Sequence, residues 1–235
     1  MDDLILQQAA APQQLILLFH GVGAGPEHMA PLGHALAGAF PEAMVVAVAG
    51  PYPSDFSSGR QWFSVREVSE DSRVERVAAA LPVFAEQIRA WQQRTGATAE
   101  QTALIGFSQG AIMTLEACVQ LPGQAGRAIS IAGRFACLPE QISDATTIHL
   151  IHGKEDGVIP YEHTVRGAYR LKALGADFTA EVLPFVQHEI NEDVIALVIR
   201  LLQNHVPQRV WQQAMRAAPE DPPDRAGVPV QKRSE

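Results

Sequence analysis

Short apolar runs recur along the chain, separated by longer stretches in which apolar residues return every three or four positions. Leu15 to Phe19, Met44 to Ala49, Thr102 to Ile105, Ala128 to Ala132, Thr147 to Ile151 and Phe178 to Leu183 are mostly aliphatic or β-branched. Each stands beside glycine, histidine or proline, which predicts strands. Most lack polar alternation, as strands covered on both faces do, so the pattern predicts a mainly parallel sheet. Helical spacing occupies roughly 27–39, 72–94, 110–121, 161–174 and 190–204. In the second of these, Val74, Val77, Leu81, Phe84, Ile88 and Trp91 share one helical face, and Pro82 predicts a kink or a division. Strand and helix alternate throughout. That rhythm predicts an α/β fold with a doubly wound open sheet, whose ligands bind beyond the carboxyl ends of its strands.

The length of 235 residues suits one domain, and 47% hydrophobic with 19% charged residues is the balance of a folded globular chain. We expect a domain over 1–206 and a C-terminal extension over 207–235. After Pro219 the extension is rich in proline and charge, which predicts disorder. A net charge of −8 and a pI near 5.5 disfavour nucleic acid and stable association with anionic membranes. The N-terminal MDDLILQQAAAPQQ lacks the basic segment of a signal peptide, so a cytoplasmic protein is expected. Cys118 and Cys137 show no metal or redox spacing and read as reduced core residues. No repeat of fixed period is present.

Chemistry concentrates where the third of these strands meets its helix. Gly106-Phe107-Ser108-Gln109-Gly110 spells G-x-S-x-G between the apolar TALI and the helical AIMTLEACVQL. A serine on so tight a turn needs glycine neighbours, and the following helix aims its N-terminal amides at the hydroxyl. A serine capping a helix in a glycine-rich turn would account for the same letters. A nucleophilic Ser108 requires a histidine to take its proton and a carboxylate to orient that histidine, in the chain order Ser, Asp or Glu, His. The strand TIHLI runs into HGKEDGVIP, which offers Glu155 and Asp156. Among the later histidines, His188 is best placed, between the strand-like FTAEVLPF and a helix. His163 and His205 fall in helical patterns, and His149 and His152 read as structural. The first strand ends in Phe19-His20-Gly21-Val22-Gly23, where the Val22 amide is a candidate to join that of Gln109 in an oxyanion hole. A glycine-rich strand exit or a phosphate loop would explain that segment equally.

Taken together, LLFHGVG at 17–23, GRQWFS at 59–64, IGFSQGAIM at 105–113, IHGKEDGVIP at 151–160 and HEI at 188–190 resemble the phospholipase/carboxylesterase family of α/β hydrolases. That family includes acyl-protein thioesterases and small bacterial esterases. The resemblance implies an α/β-hydrolase fold without a large lid and a triad of Ser108, Asp156 and His188. It also implies oxyanion donors at Val22 and Gln109, and an acyl site bordered by Arg60, Trp62 and Phe63. It implies hydrolysis of a small acyl ester or thioester with no metal or cofactor, and leaves a homodimer open. The absence of a long inserted segment points to short- or medium-chain esters. One position departs from the family: Gln187 precedes His188 where glycine is common, and a backbone that demanded glycine there would displace the histidine.

Overall fold

A computed structural model describes residues 2–217. The chain divides into a unit spanning Met1–His205 and a second that begins at Val206. The first unit is built on a seven-stranded sheet. Its strands are β1 (Leu4–Gln7), β2 (Gln14–Phe19), β3 (Ala43–Val48), β6 (Thr102–Phe107), β7 (Arg127–Ile131), β8 (Thr147–Gly153) and β9 (Phe178–Leu183). A small hairpin of β4 (Tyr52–Pro53) and β5 (Arg60–Gln61) lies outside it. The spatial order is β1-β3-β2-β6-β7-β8-β9, with β1 antiparallel to β3 and every other pairing parallel.

From β2 the chain winds outward to β3, whereas from β6 it winds the other way through β7 and β8 to β9. The reversal puts the carboxyl ends of β2 and β6 side by side, and the crevice there is the natural ligand position of such a sheet. Register holds the two ends level, with Phe19 opposite Gly106. The loop after Phe19 and the turn at Ser108 are therefore neighbours.

Side chains along β2 point alternately to two cores. Leu15, Leu17 and Phe19 pack with Phe84, Ile88 and Trp91 of α2 (Glu70–Thr95) and with Ile112 and Met113 of α3 (Gln109–Gln120). Ile16 and Leu18 face Leu32 and Leu36 of α1 (Ala30–Ala39) and Val194 and Val198 of α5 (Glu192–Asn204). A third cluster joins Phe135, Ile148 and Leu150 to Leu171 of α4 (Glu162–Ala173). Each fully buried large aliphatic or aromatic side chain contributes about 1.5–3 kcal/mol, so two covered faces supply the main driving force for this layer order.

Two expectations change, and two elements come in addition. Helix α2 runs through Pro82 undivided, because Pro82 faces solvent while Leu81, Phe84 and Ile88 hold the helix to the sheet. Strand β1 joins as an antiparallel edge whose side chains are only half-buried, a weak apolar signal in the sequence. Cys137 is exposed rather than core, while Cys118 is buried as expected. In the second unit, Gln208–Ala217 forms a helix, α6. The expected disorder after 219 lies outside the described residues. Among the described residues no helix is long and apolar enough to cross a membrane.

Candidate active site

Ser108 sits between β6 and α3 with φ 54° and ψ −114°, a backbone region that non-glycine residues occupy at a cost of order 1–3 kcal/mol. The surroundings make that conformation obligatory. A Cβ at Gly106 would run into the Gly110 carbonyl, and one at Gly110 would meet the backbone of Phe19 and His20. The Ser108 N–H donates to the Ile131 carbonyl at 2.9 Å, tying the turn to the end of β7. Ala132 (φ 50°) and Phe185 (φ 62°) are likewise left-handed just past β7 and β9. Strain thus gathers along one rim of the sheet.

The three residues singled out in the sequence converge there. His188 Nε2 lies 2.9 Å from Ser108 Oγ, and His188 Nδ1 lies 2.7 Å from Asp156 Oδ2. A carboxylate only accepts, so Nδ1 carries the ring proton and the Nε2 lone pair faces the serine hydroxyl. Asp156 Oδ1 accepts from the Val158 and Ile159 amides at 2.8 Å each. Burial pushes the Asp156 carboxyl up, but the His188 hydrogen bond and these two amides outweigh it and hold the group below its ordinary value. Phe107 stacks against the His188 ring at 4.9 Å between centroids. Such a chain can move a proton from an alcohol to an imidazole whose positive charge a buried carboxylate offsets.

Glu155, the neighbouring acid, is exposed, and its amide donates to the Val186 carbonyl. His163 lies between Arg134 and Arg166, and His205 pairs with Asp177, so neither reaches Ser108. His149 is buried beside Thr179 and Arg127. His152, which its place in the sequence marks as structural, lies 3.2 Å from Asp156. Gln187 causes no displacement, because it takes a negative φ that any residue adopts. The glycine this crossing requires is Gly153 instead, where a Cβ would meet the carbonyls of Val186 and Gln187.

The residues of the GRQWFS segment support the loop after β2 from beneath. Trp62 is only 1% exposed, and its indole N–H donates to the His20 carbonyl at 2.8 Å. The Gln109 side chain accepts from the Trp62 amide and donates to the Phe63 carbonyl, which clamps this segment to the start of α3. Phe63 is buried in the main core. The Arg60 guanidinium donates to the carbonyls of Gly50 and Pro51 at 2.6 and 2.7 Å. His20 Nε2 accepts from the Gly50 amide, so its Nδ1 proton points at the Gly21 carbonyl. Arg60 and Trp62 thus brace the loop that carries Val22, and Phe63 lies in the core. Val22 is 37% exposed, and Gln109 opens α3, where an N–H has no acceptor within the helix. Among the described residues no group of three or more His, Cys, Asp or Glu could hold a metal ion.

Comparison with known proteins agrees with this architecture. The phospholipase/carboxylesterase family matches residues 2–206. The chain is 45% identical over 215 residues to Esterase YpfH of Escherichia coli (strain K12), covering 91% of this chain and 93% of that protein. It is 27% identical over 123 residues to Acyl-protein thioesterase 1 of Gibberella zeae, covering 49% and 52% of the two chains. The crystal structure of esterase PE8 superposes with a TM-score of 0.78 at 25% identity, covering 85% of this chain and 97% of that one. The chain therefore belongs to the phospholipase/carboxylesterase family, has the α/β-hydrolase fold, and is an esterase.

Proposed function

We propose that the chain is a serine carboxylesterase that hydrolyses short- to medium-chain acyl esters through an acyl-enzyme. The observation that carries this reading is the unbroken chain from Ser108 Oγ through His188 to Asp156, at 2.9 and 2.7 Å, set on a strained turn. Ser108 Oγ attacks the ester carbonyl while His188 Nε2 takes its proton. The oxyanion is held by the amides of Val22 and Gln109, the second at the positive end of α3. His188 then protonates the departing alcohol, and the acyl group stays on Ser108. Water, deprotonated by His188, attacks the acyl-enzyme and releases the carboxylate, returning the proton to Ser108.

The preference for shorter acyl chains is supported by the segment 49–69, which connects β3 to α2 without forming a large lid. It folds as the β4–β5 hairpin and is anchored by Gln109 and Arg60. A cytoplasmic location is supported by two free thiols, as expected of a reducing compartment.

Fluorophosphonate labelling with intact-mass readout, beside p-nitrophenyl butyrate hydrolysis, tests the reading. Wild type is expected to take one adduct and turn over. Ser108→Ala takes none, and both it and His188→Ala lose turnover by about 10³-fold or more. A wild type that neither labels nor turns over would refute the triad. An acyl series from about C4 to C16 tests the chain-length reading, and activity rising toward the long end would favour a thioesterase or lysophospholipase instead.

A further inference from the structure

We propose that His152 is a positioning residue for the ester hydrolysis: its Nε2–H fixes the Asp156 carboxylate in the orientation that receives His188. The inference rests on the triad reading above.

His152 lies near the end of β8 with a side chain that is 0% exposed, four residues before Asp156. Its Nε2 is 2.8 Å from the Ile159 carbonyl and 3.2 Å from Asp156 Oδ2. Both partners only accept, so Nε2 carries the proton and shares it between them. Nδ1 is then a lone pair and accepts from the Thr164 hydroxyl of α4 at 2.7 Å. Burial lowers the His152 pKa more than the Ile159 carbonyl and Asp156 raise it, which keeps the ring neutral. The titratable groups acting on the ring are Asp156 and His188, while α4 presents the uncharged Thr164.

The Asp156 carboxylate thereby accepts three hydrogen bonds and has the His152 Nε2–H beside it at 3.2 Å. The amides of Val158 and Ile159 hold Oδ1, and His188 and His152 meet at Oδ2. At 3.2 Å against 2.7 Å, His152 is the weaker partner of that oxygen and does not displace His188. It fixes the carboxylate plane instead. By binding the Ile159 carbonyl it also holds the far end of the turn whose amides grip Oδ1. One imidazole thus joins the strand that delivers the acid, the turn that orients it and the helix that follows.

The test measures kcat and KM for p-nitrophenyl butyrate per fluorophosphonate-titrated site across about pH 5 to 9 in wild type, His152→Leu, His152→Gln and Thr164→Val. Without the Nε2 donor more charge remains on Oδ2, which favours the protonated Asp156–His188 pair. His152→Leu is expected to lower kcat by roughly 10- to 100-fold with KM within about twofold. The acid limb of kcat/KM moves to higher pH by about half a unit or more. His152→Gln, whose amide N–H falls near the imidazole Nε2 position, recovers most of the kcat and the wild-type limb. Thr164→Val, which no longer fixes the ring tautomer, shows a smaller loss in the same direction, and it decides the matter if His152→Leu does not fold. The inference is overturned if His152→Leu keeps its kcat per titrated site and its acid limb, or if Gln rescues no better than Leu. Absence of an adduct in wild type would instead sink the triad reading, and the role of His152 with it.

Discussion

Two histidine–aspartate clusters flank opposite ends of β8, and they differ in what surrounds nearly the same residue types. At the carboxyl end, His152, His188, Asp156 and Thr164 meet beside Ser108. Toward the amino end, His149 and His205 lie with Asp177, Thr147 and Thr179. There the Arg127 guanidinium donates to His149 Nε2 at 3.2 Å and to the His205 carbonyl at 2.6 Å. Burial, reinforced by that guanidinium and by His205, pushes the His149 pKa down to about 3. At His152 the opposing effects of the Ile159 carbonyl and Asp156 outrank the lowering by His188, whereas at His149 Arg127 and His205 outrank Asp177. Exposure does not separate the two, since the His205 side chain is 24% exposed and that of His188 16%, but only His188 turns its ring to a serine held at positive φ. Histidine, aspartate and threonine in contact do not make a hydrolytic centre. The proposed centre differs in that an imidazole nitrogen faces a serine hydroxyl on a strained turn.

The sharpest way to break this comparison is to neutralise each acid in turn. Asp156→Asn is expected to lower kcat for p-nitrophenyl butyrate by about 10³- to 10⁴-fold, since the amide favours the wrong His188 tautomer. Asp177→Asn should leave kcat/KM within about threefold and appear as a lower urea midpoint instead. Equal losses of activity would erase the distinction.

The amino-end cluster makes a second prediction, in stability. His149 protonates near 6.5 when unfolded but near 3 when folded, so the unfolded state binds the extra proton first. Stability is then fully present above pH 6.5 and falls as pH drops toward 3, on the order of 1 kcal/mol per pH unit. Urea unfolding of wild type at about pH 7 and 5 should show that slope, and His149→Leu should flatten it while leaving turnover per active site unchanged. A slope identical in the variant would assign the acid sensitivity elsewhere.

The smallest expected effect concerns the His188 loop. Gln187 already has a negative φ, so Gln187→Gly adds only unfolded-state freedom. It should cost up to about 1 kcal/mol in chemical denaturation and give no gain in kcat. A rise of several-fold in kcat would mean that glutamine does restrain the histidine.

The six parallel strands and the five α-helices of the first unit were legible because each signal is local. An apolar run reports a strand buried on both faces, and three- and four-residue spacing reports a helix face. The turn at Ser108 was legible for the same reason, its glycines standing within two residues of the serine. Strand β1, the hairpin and the hydrogen bonds of GRQWFS were not, because their burial depends on partners far along the chain. The partner of the Trp62 N–H is His20, 42 positions away.

By itself, then, the sequence determined the order of elements, the two-faced core, the strained turn at Ser108 and a short set of acids and bases. Only the tertiary structure decided among them. Ser108 and His188 are 80 positions apart and Asp156 and His188 are 32, so no spacing rule could choose Asp156 over Glu155 or reveal that His152 touches the acid. Those choices follow from where parallel strands end and how the chain crosses between them. Hydrophobic periodicity sets the layers, but the meeting of distant loops arises only once the sheet has closed its register.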